Sequence, residues 1–162
     1  MGIMPSMIFP AHEFAITAPR AGMFDAWFAA FARHTQQTGA PIDERGARIV
    51  WRWLLDGSYR IAALFAFDEA KTLAGIAHYR PFPDVLAGQE ACALDALFVD
   101  GAYRGQGLEE LLVSAVYDVA VNRGWSEVRW AVAGDVGGTL SGAGSVERTA
   151  LVTYRIPVVR SP

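Results

Sequence analysis

The chain is poor in cysteine, histidine and lysine, and it has no long apolar runs. Its single cysteine, Cys92, excludes a disulfide framework and any cysteine-rich zinc site. Three scattered histidines, His12, His34 and His78, offer no ligand cluster, so no metal is expected. Of the 14 basic residues only Lys71 is a lysine. No apolar run reaches the roughly 18 residues a membrane helix needs. The segment Met1 to Pro10 lacks a basic leader region and a cleavage pattern, so no signal peptide is expected and the location is read as cytoplasmic. The net charge is −3 with no basic patch in sequence, which argues against nucleic acid as a partner. A mildly acidic balance suits a cationic small molecule better.

What remains is a globular composition. Apolar residues make up 52% and charged residues 19% of 162 positions. That length is one domain, residues 1–162, and it buries roughly 70% of its unfolded surface without a staple. Glu13 to Thr17 alternates as a short strand. Met23, Phe24, Trp27, Phe28 and Phe31 then recur at helical spacing, up to Gly39 and Pro41. Asp43 is placed to cap a second helix carrying Ile49, Val50, Trp53 and Leu54, which ends at Gly57. Ile61 to Phe67 and Thr72 to Tyr79 read as strands. Pro81 and Pro83 then break the pattern and are expected to open a loop through Gln89.

A third strand of this run, Ala91 to Val99, follows. The clearest helix comes next, with Leu108, Leu111, Leu112, Ala115, Val116 and Val119 as one stripe and Gly124 at its end. Trp125 to Val132 and Ala150 to Val159 read as further strands, separated by a glycine-rich stretch from Gly134 to Ser145. The sum is a mixed α/β sheet covered by helices.

The chemically informative stretch is Leu94-Asp95-Ala96-Leu97-Phe98-Val99-Asp100, then Gly101-Ala102-Tyr103, then Arg104-Gly105-Gln106-Gly107-Leu108. A strand enters a glycine loop, and the loop opens an amphipathic helix. The first turn of a helix carries free N–H groups and the positive end of the dipole. Glycines let backbone approach a phosphate with no Cβ between them. Arg104 adds a charged donor at the rim. No Lys-Ser/Thr follows the glycines, which excludes a Walker A loop, and the dinucleotide spacing lacks its third glycine.

On these residues the chain resembles the GCN5-related N-acetyltransferase (GNAT) superfamily, and within it small bacterial members similar to diamine acetyltransferases. The matching motifs are Leu97-Phe98-Val99 followed by Arg104-Gly105-Gln106-Gly107-Leu108. Gly75-Ile76-Ala77 and Gly124-Trp125 support them. The resemblance implies a mixed, mostly antiparallel sheet flanked by about four helices, with a splayed cofactor cleft between the fourth and fifth strands. It implies acetyl-coenzyme A (acetyl-CoA) as co-substrate and a primary amine of a small molecule as acceptor. Backbone groups of Leu97, Phe98 and Val99 would pair with the pantetheine arm. Amides of Arg104, Gly105, Gln106, Gly107, Leu108 and Glu109 would hold the pyrophosphate. A homodimer is a family-level expectation.

The chemistry requires a base for an amine that is protonated at neutral pH, and a proton for the departing thiolate. Asp95, two residues before Leu97, is the candidate base. Its other reading is a salt-bridged strand acid. The family places a thiolate-protonating tyrosine after the fifth strand, and here that position falls on Ser141, after Leu140. Two further departures are Glu109, where the loop motif usually ends in glycine or alanine, and Ala96, where relatives often carry a second acid. They motivate an alternative, a degenerate GNAT-fold protein that binds CoA or a partner without efficient catalysis. Tyr79, Arg80 and Phe82 stand where relatives contact substrate, and Tyr79 and Phe82 are the candidates there. His78 alternates with Tyr79, so only one of the two faces the cleft. Trp27, Phe31 and Trp53 have core spacing, with cation–π lining of an amine pocket as their other reading. Cys92 has no histidine or acid partner nearby in sequence and reads as a small buried residue.

Overall fold

A computed structural model describes residues 13–131. Five strands form one sheet in chain order: β1 (Ala15–Thr17), β2 (Ala62–Phe67), β3 (Leu73–Asp84), β4 (Gln89–Val99) and β5 (Val128–Trp130). The first three pairings are antiparallel and the last, β4 with β5, is parallel. Three α-helices lie among the described residues: α1 (Phe24–Gln37), α2 (Glu44–Leu55) and α3 (Leu108–Arg123). This is the mixed, mostly antiparallel sheet expected. The glycine-rich segment, the final strand and Ser141 lie outside the described residues.

Local chemistry sets the helix ends. The Asp43 side chain accepts from the Gly46 amide at 2.7 Å, satisfying one orphan donor of α2. Helix α3 ends at Gly124 in the left-handed region, φ 71°. The apolar stripe of α3 buries Leu108, Leu112, Val113, Val116 and Ala120 against one face of the sheet, with Ala77, Tyr79, Cys92, Leu94 and Val99. Helices α1 and α2 cover the other face, where Trp27, Phe31, Trp51 and Leu54 meet Phe65, Ile76 and Phe98. The tryptophan that α2 buries is Trp51. Trp53 is half-buried, its ring 5.7 Å from that of Tyr59.

The loop expected from Pro81 to Gln89 is instead a hairpin. Strand β3 runs through both prolines to Asp84, with Pro81 opposite Cys92 and Pro83 opposite Glu90. The turn is only residues 85–88. Residues two apart on a strand present their N–H groups to the same edge. Strand β2 begins at Ala62, opposite Tyr79, so the edge of β3 beyond that point has no strand partner among the described residues. Prolines on a free edge remove no ladder bond, which is why the strand survives them.

Candidate functional site

Strand β4 is asymmetric along its length. On the β3 side it is paired from Gln89 to Val99. On the other side β5 meets only Cys92, Ala93 and Leu94, through Val128, Arg129 and Trp130. From Asp95 onward that edge has no strand partner among the described residues. The β3–β4 register slips at the same place: His78 faces Ala96 while Tyr79 faces Leu94, leaving Asp95 as the extra residue of a bulge. A bulge bends its strand and sharpens the twist, so β4 leaves β5 where the chain inserts one residue. The backbone of residues 95–99 thereby offers alternating N–H and C=O groups to an extended ligand. Phe98 and Val99 anchor this segment in the two cores, 4% and 5% exposed.

The open end of β4 leads into the glycine loop. Gly105 and Gly107 have φ of 74° and 80°, the left-handed region where side-chain-bearing residues are strained. Gly107 is the N-cap of α3 and supplies no side-chain cap. Leu111 is the first α3 amide to find a backbone acceptor, the Gly107 carbonyl at 3.0 Å. The amides of residues 105–110 make no well-formed hydrogen bond among the described residues. A Cβ added at Gly105 or Gly107 would meet nothing within 4 Å, so the space before these amides is open. Free N–H groups, a helix start and open approach are the features that favour an anion at a helix N-terminus. Glu109 and Glu110 are half-buried in the first turn.

Two braces hold this loop in place. Arg33 on α1 pairs with Asp100 Oδ2 at 2.7 Å, while Asp100 Oδ1 accepts from the Ala102 amide at 3.1 Å. The Tyr103 hydroxyl donates to Asp68 Oδ2 at 2.6 Å, and Asp68 Oδ1 accepts from the Thr72 amide at 2.7 Å. The Asp68 hydrogen bond raises the Tyr103 phenol above its ordinary range. Exposed Arg104 donates to Gln37 Oε1 at 3.4 Å.

Beside the bulge, Arg80 Nε lies 2.8 Å from Asp95 Oδ2, both side chains partly exposed. Arg80 and Phe82 are two apart on β3, on the face covered by α1 and α2. The Phe82 ring carries the Arg129 guanidinium 5.2 Å from its centroid. Arg129 is itself neutralised by Asp84 at 3.0 Å and by Glu127. Tyr79 points the other way, into the α3-side core, where burial raises its phenol.

The residue next to Tyr79 lies on the opposite face. His78 is 5% exposed, and its Nε2 accepts from Trp27 Nε1 at 2.9 Å. Phe31 lies against it with centroids 4.8 Å apart. Burial first, and the charge of His34 second, lower its pKa to about 3. The ring is therefore neutral and carries its proton on Nδ1. Burial likewise pushes the Cys92 thiol up to about 11, with the Asp95 charge as the next cause, so Cys92 is not a nucleophile at neutral pH.

The structure thus brings Asp95, Leu97, Phe98 and Val99 together with Arg104, Gly105, Gln106, Gly107, Leu108 and Glu109 along one continuous edge. Phe82 shares the face of Asp95, and Tyr79 does not. Sequence reasoning passed over Arg80 as the partner of Asp95. The signal was parity, because Arg80 alternates with Tyr79 and shares a face with Phe82. The Trp27–His78 bond joins residues 51 apart and has no sequence signal.

Comparison with known proteins gives a consistent picture. Residues 23–137 match the acetyltransferase (GNAT) family. No curated protein matches the sequence. Among solved structures, a ribosomal-protein-alanine N-acetyltransferase from Brucella melitensis biovar Abortus 2308 is 22% identical, with a TM-score of 0.62. The match covers 74% of this chain and 80% of that one. A probable acetyltransferase is 16% identical with a TM-score of 0.75, covering 91% of this chain and 99% of that one. An aminoglycoside N-acetyltransferase in complex with CoA is 17% identical with a TM-score of 0.72, covering 91% and 98%.

Proposed function

The chain belongs to the acetyltransferase (GNAT) family, and from that premise we propose that it is an acetyl-CoA-dependent N-acetyltransferase acting on a primary amine of a small molecule. The carrying observation is the unbroken run from the β4 edge, unpaired beyond Leu94 among the described residues, to the start of α3, which has no side-chain cap. A thioester with a long amide-bearing arm and a diphosphate fits that run. The arm would take its backbone hydrogen bonds from Leu97, Phe98 and Val99. The amides of residues 104–109 would take the diphosphate, with the Glu109 carboxylate turned away from it.

When bound, the co-substrate supplies an activated acetyl carbonyl. The remaining work falls to the protein. Asp95 takes a proton from the incoming ammonium, because only the free amine attacks. The cleft where β4 leaves β5 would hold that nitrogen against the carbonyl. An N–H on the open β4 edge meets the charge developing on oxygen. The new C–N bond forms as the C–S bond breaks, and the departing thiolate takes a proton. Ser141 is the sequence candidate near that step. A serine hydroxyl is a poor acid, so it would act through water.

A second reading, coenzyme binding without efficient transfer, draws on one observation: Asp95 is engaged by Arg80. Thiol release from acetyl-CoA over a panel of amines separates the two readings. Steady turnover with any amine supports the transferase. Binding without turnover supports the second reading.

A further inference from the structure

We propose that the acceptor is a free α-amino acid, read as a zwitterion by Arg80 and Asp95 acting as one clamp. This rests on the transferase reading above and names its substrate class. The two side chains stand on neighbouring strands beside the point where β4 leaves β5, with Arg80 Nε 2.8 Å from Asp95 Oδ2. No other described residue pairs with the Nη groups of Arg80 or with Oδ1 of Asp95. Both side chains are accessible, 45% and 41% exposed. The pair therefore presents a cationic donor set and an anionic acceptor side by side.

A ligand that matches it carries an ammonium and a carboxylate a few ångströms apart. The α-ammonium would sit on Asp95 Oδ1, where Asp95 can take its proton, and the α-carboxylate on the Arg80 Nη groups. Arg129 is held by Asp84 and Glu127, and Arg33 by Asp100. An extended polycation fits poorly. It would meet one carboxylate with a guanidinium against it, and the adjoining position, Ala96, offers no second acid.

The test compares kcat/KM for free amino acids, the matching amino-acid amides, aliphatic diamines and alanine-initiated tripeptides, with acetyl-CoA saturating. The clamp predicts that amino acids exceed their amides by about 10-fold or more, since the amide leaves the Arg80 donors without an anionic partner. In Arg80→Gln the ratio of amino acid to amide falls to near one. Arg80→Lys keeps an intermediate ratio, because a point charge replaces a planar fork. Acetyl-CoA binding, followed by calorimetry, checks that each variant is folded and loaded. Diamines, amides or tripeptides turning over as well as amino acids would overturn the clamp while leaving the transferase reading intact. So would a ratio unchanged in Arg80→Gln. No turnover with any amine would overturn both.

Discussion

The two halves of β4 behave as different objects. From Gln89 to Leu94 the strand has neighbours on both sides at its inner end, and Cys92 and Leu94 lie in the α3-side core. From Asp95 to Val99 it keeps β3 but loses β5, and it ends in a loop where the amides of residues 105–110 make no well-formed backbone hydrogen bond among the described residues. One inserted residue, Asp95, separates the halves. The lesson is that stability and binding capacity are divided along a single strand. Unmade backbone bonds are tolerated in the outer half because side chains there, Phe98 and Val99, are still buried on both faces.

That division can be broken at several points. The largest expected effect is on catalysis. Asp95→Asn removes the proposed base and should lower kcat by about 100-fold to 10,000-fold, with acetyl-CoA affinity unchanged. Retained kcat in a steady-state assay would take the base away from Asp95.

A second effect lies in the core between the sheet and α1, around His78. The pKa of His78 is depressed to about 3, so the unfolded chain binds its proton first as pH falls. Stability from this group is complete above the ordinary histidine pKa of about 6.5 and is lost progressively down to about pH 3. The full loss is on the order of 5 kcal/mol. Denaturant melts between pH 7 and pH 4 check it. His78→Gln, which keeps an acceptor for Trp27, should flatten the dependence.

The paired region of β3 is sharper still as a steric test. A Cβ at Gly75 would stand 3.0 Å from the Phe98 carbonyl oxygen and 3.0 Å from Leu112 Cδ1. Gly75→Ala should therefore lower unfolding stability by about 1–3 kcal/mol. The smallest effect on folding belongs to the loop. Gly107→Ala forces a side chain into the left-handed region and should lower stability by about 1–2 kcal/mol, measured by thermal melting. Its effect on acetyl-CoA affinity should exceed that of any core variant of equal stability.

Much of this was legible in the sequence, and the reasons differ by element. The strand, glycine loop and helix from Leu94 to Gly124 are written in local chemistry: an apolar run, glycines at φ-positive positions and a stripe at helical spacing. The Asp43 cap is equally local. The continuation of β3 through Pro81 and Pro83 was not legible, since it depends on β2 stopping at Ala62, a tertiary fact. The bulge at Asp95 was hidden for the same reason, because alternation names faces but not the partner strand. The Arg80–Asp95 pair and the Trp27–His78 bond are long-range contacts that follow from register and helix docking. The motif therefore located the candidate coenzyme edge, while the acceptor side needed the fold.

The central claim is that the open β4 edge and the start of α3 form one coenzyme site. Thermal melting with and without acetyl-CoA tests it most directly. Ligand at 100 times its dissociation constant should stabilise the protein by about 2.7 kcal/mol, and Gly107→Ala should reduce that shift. An unchanged melting temperature at millimolar acetyl-CoA would contradict the account.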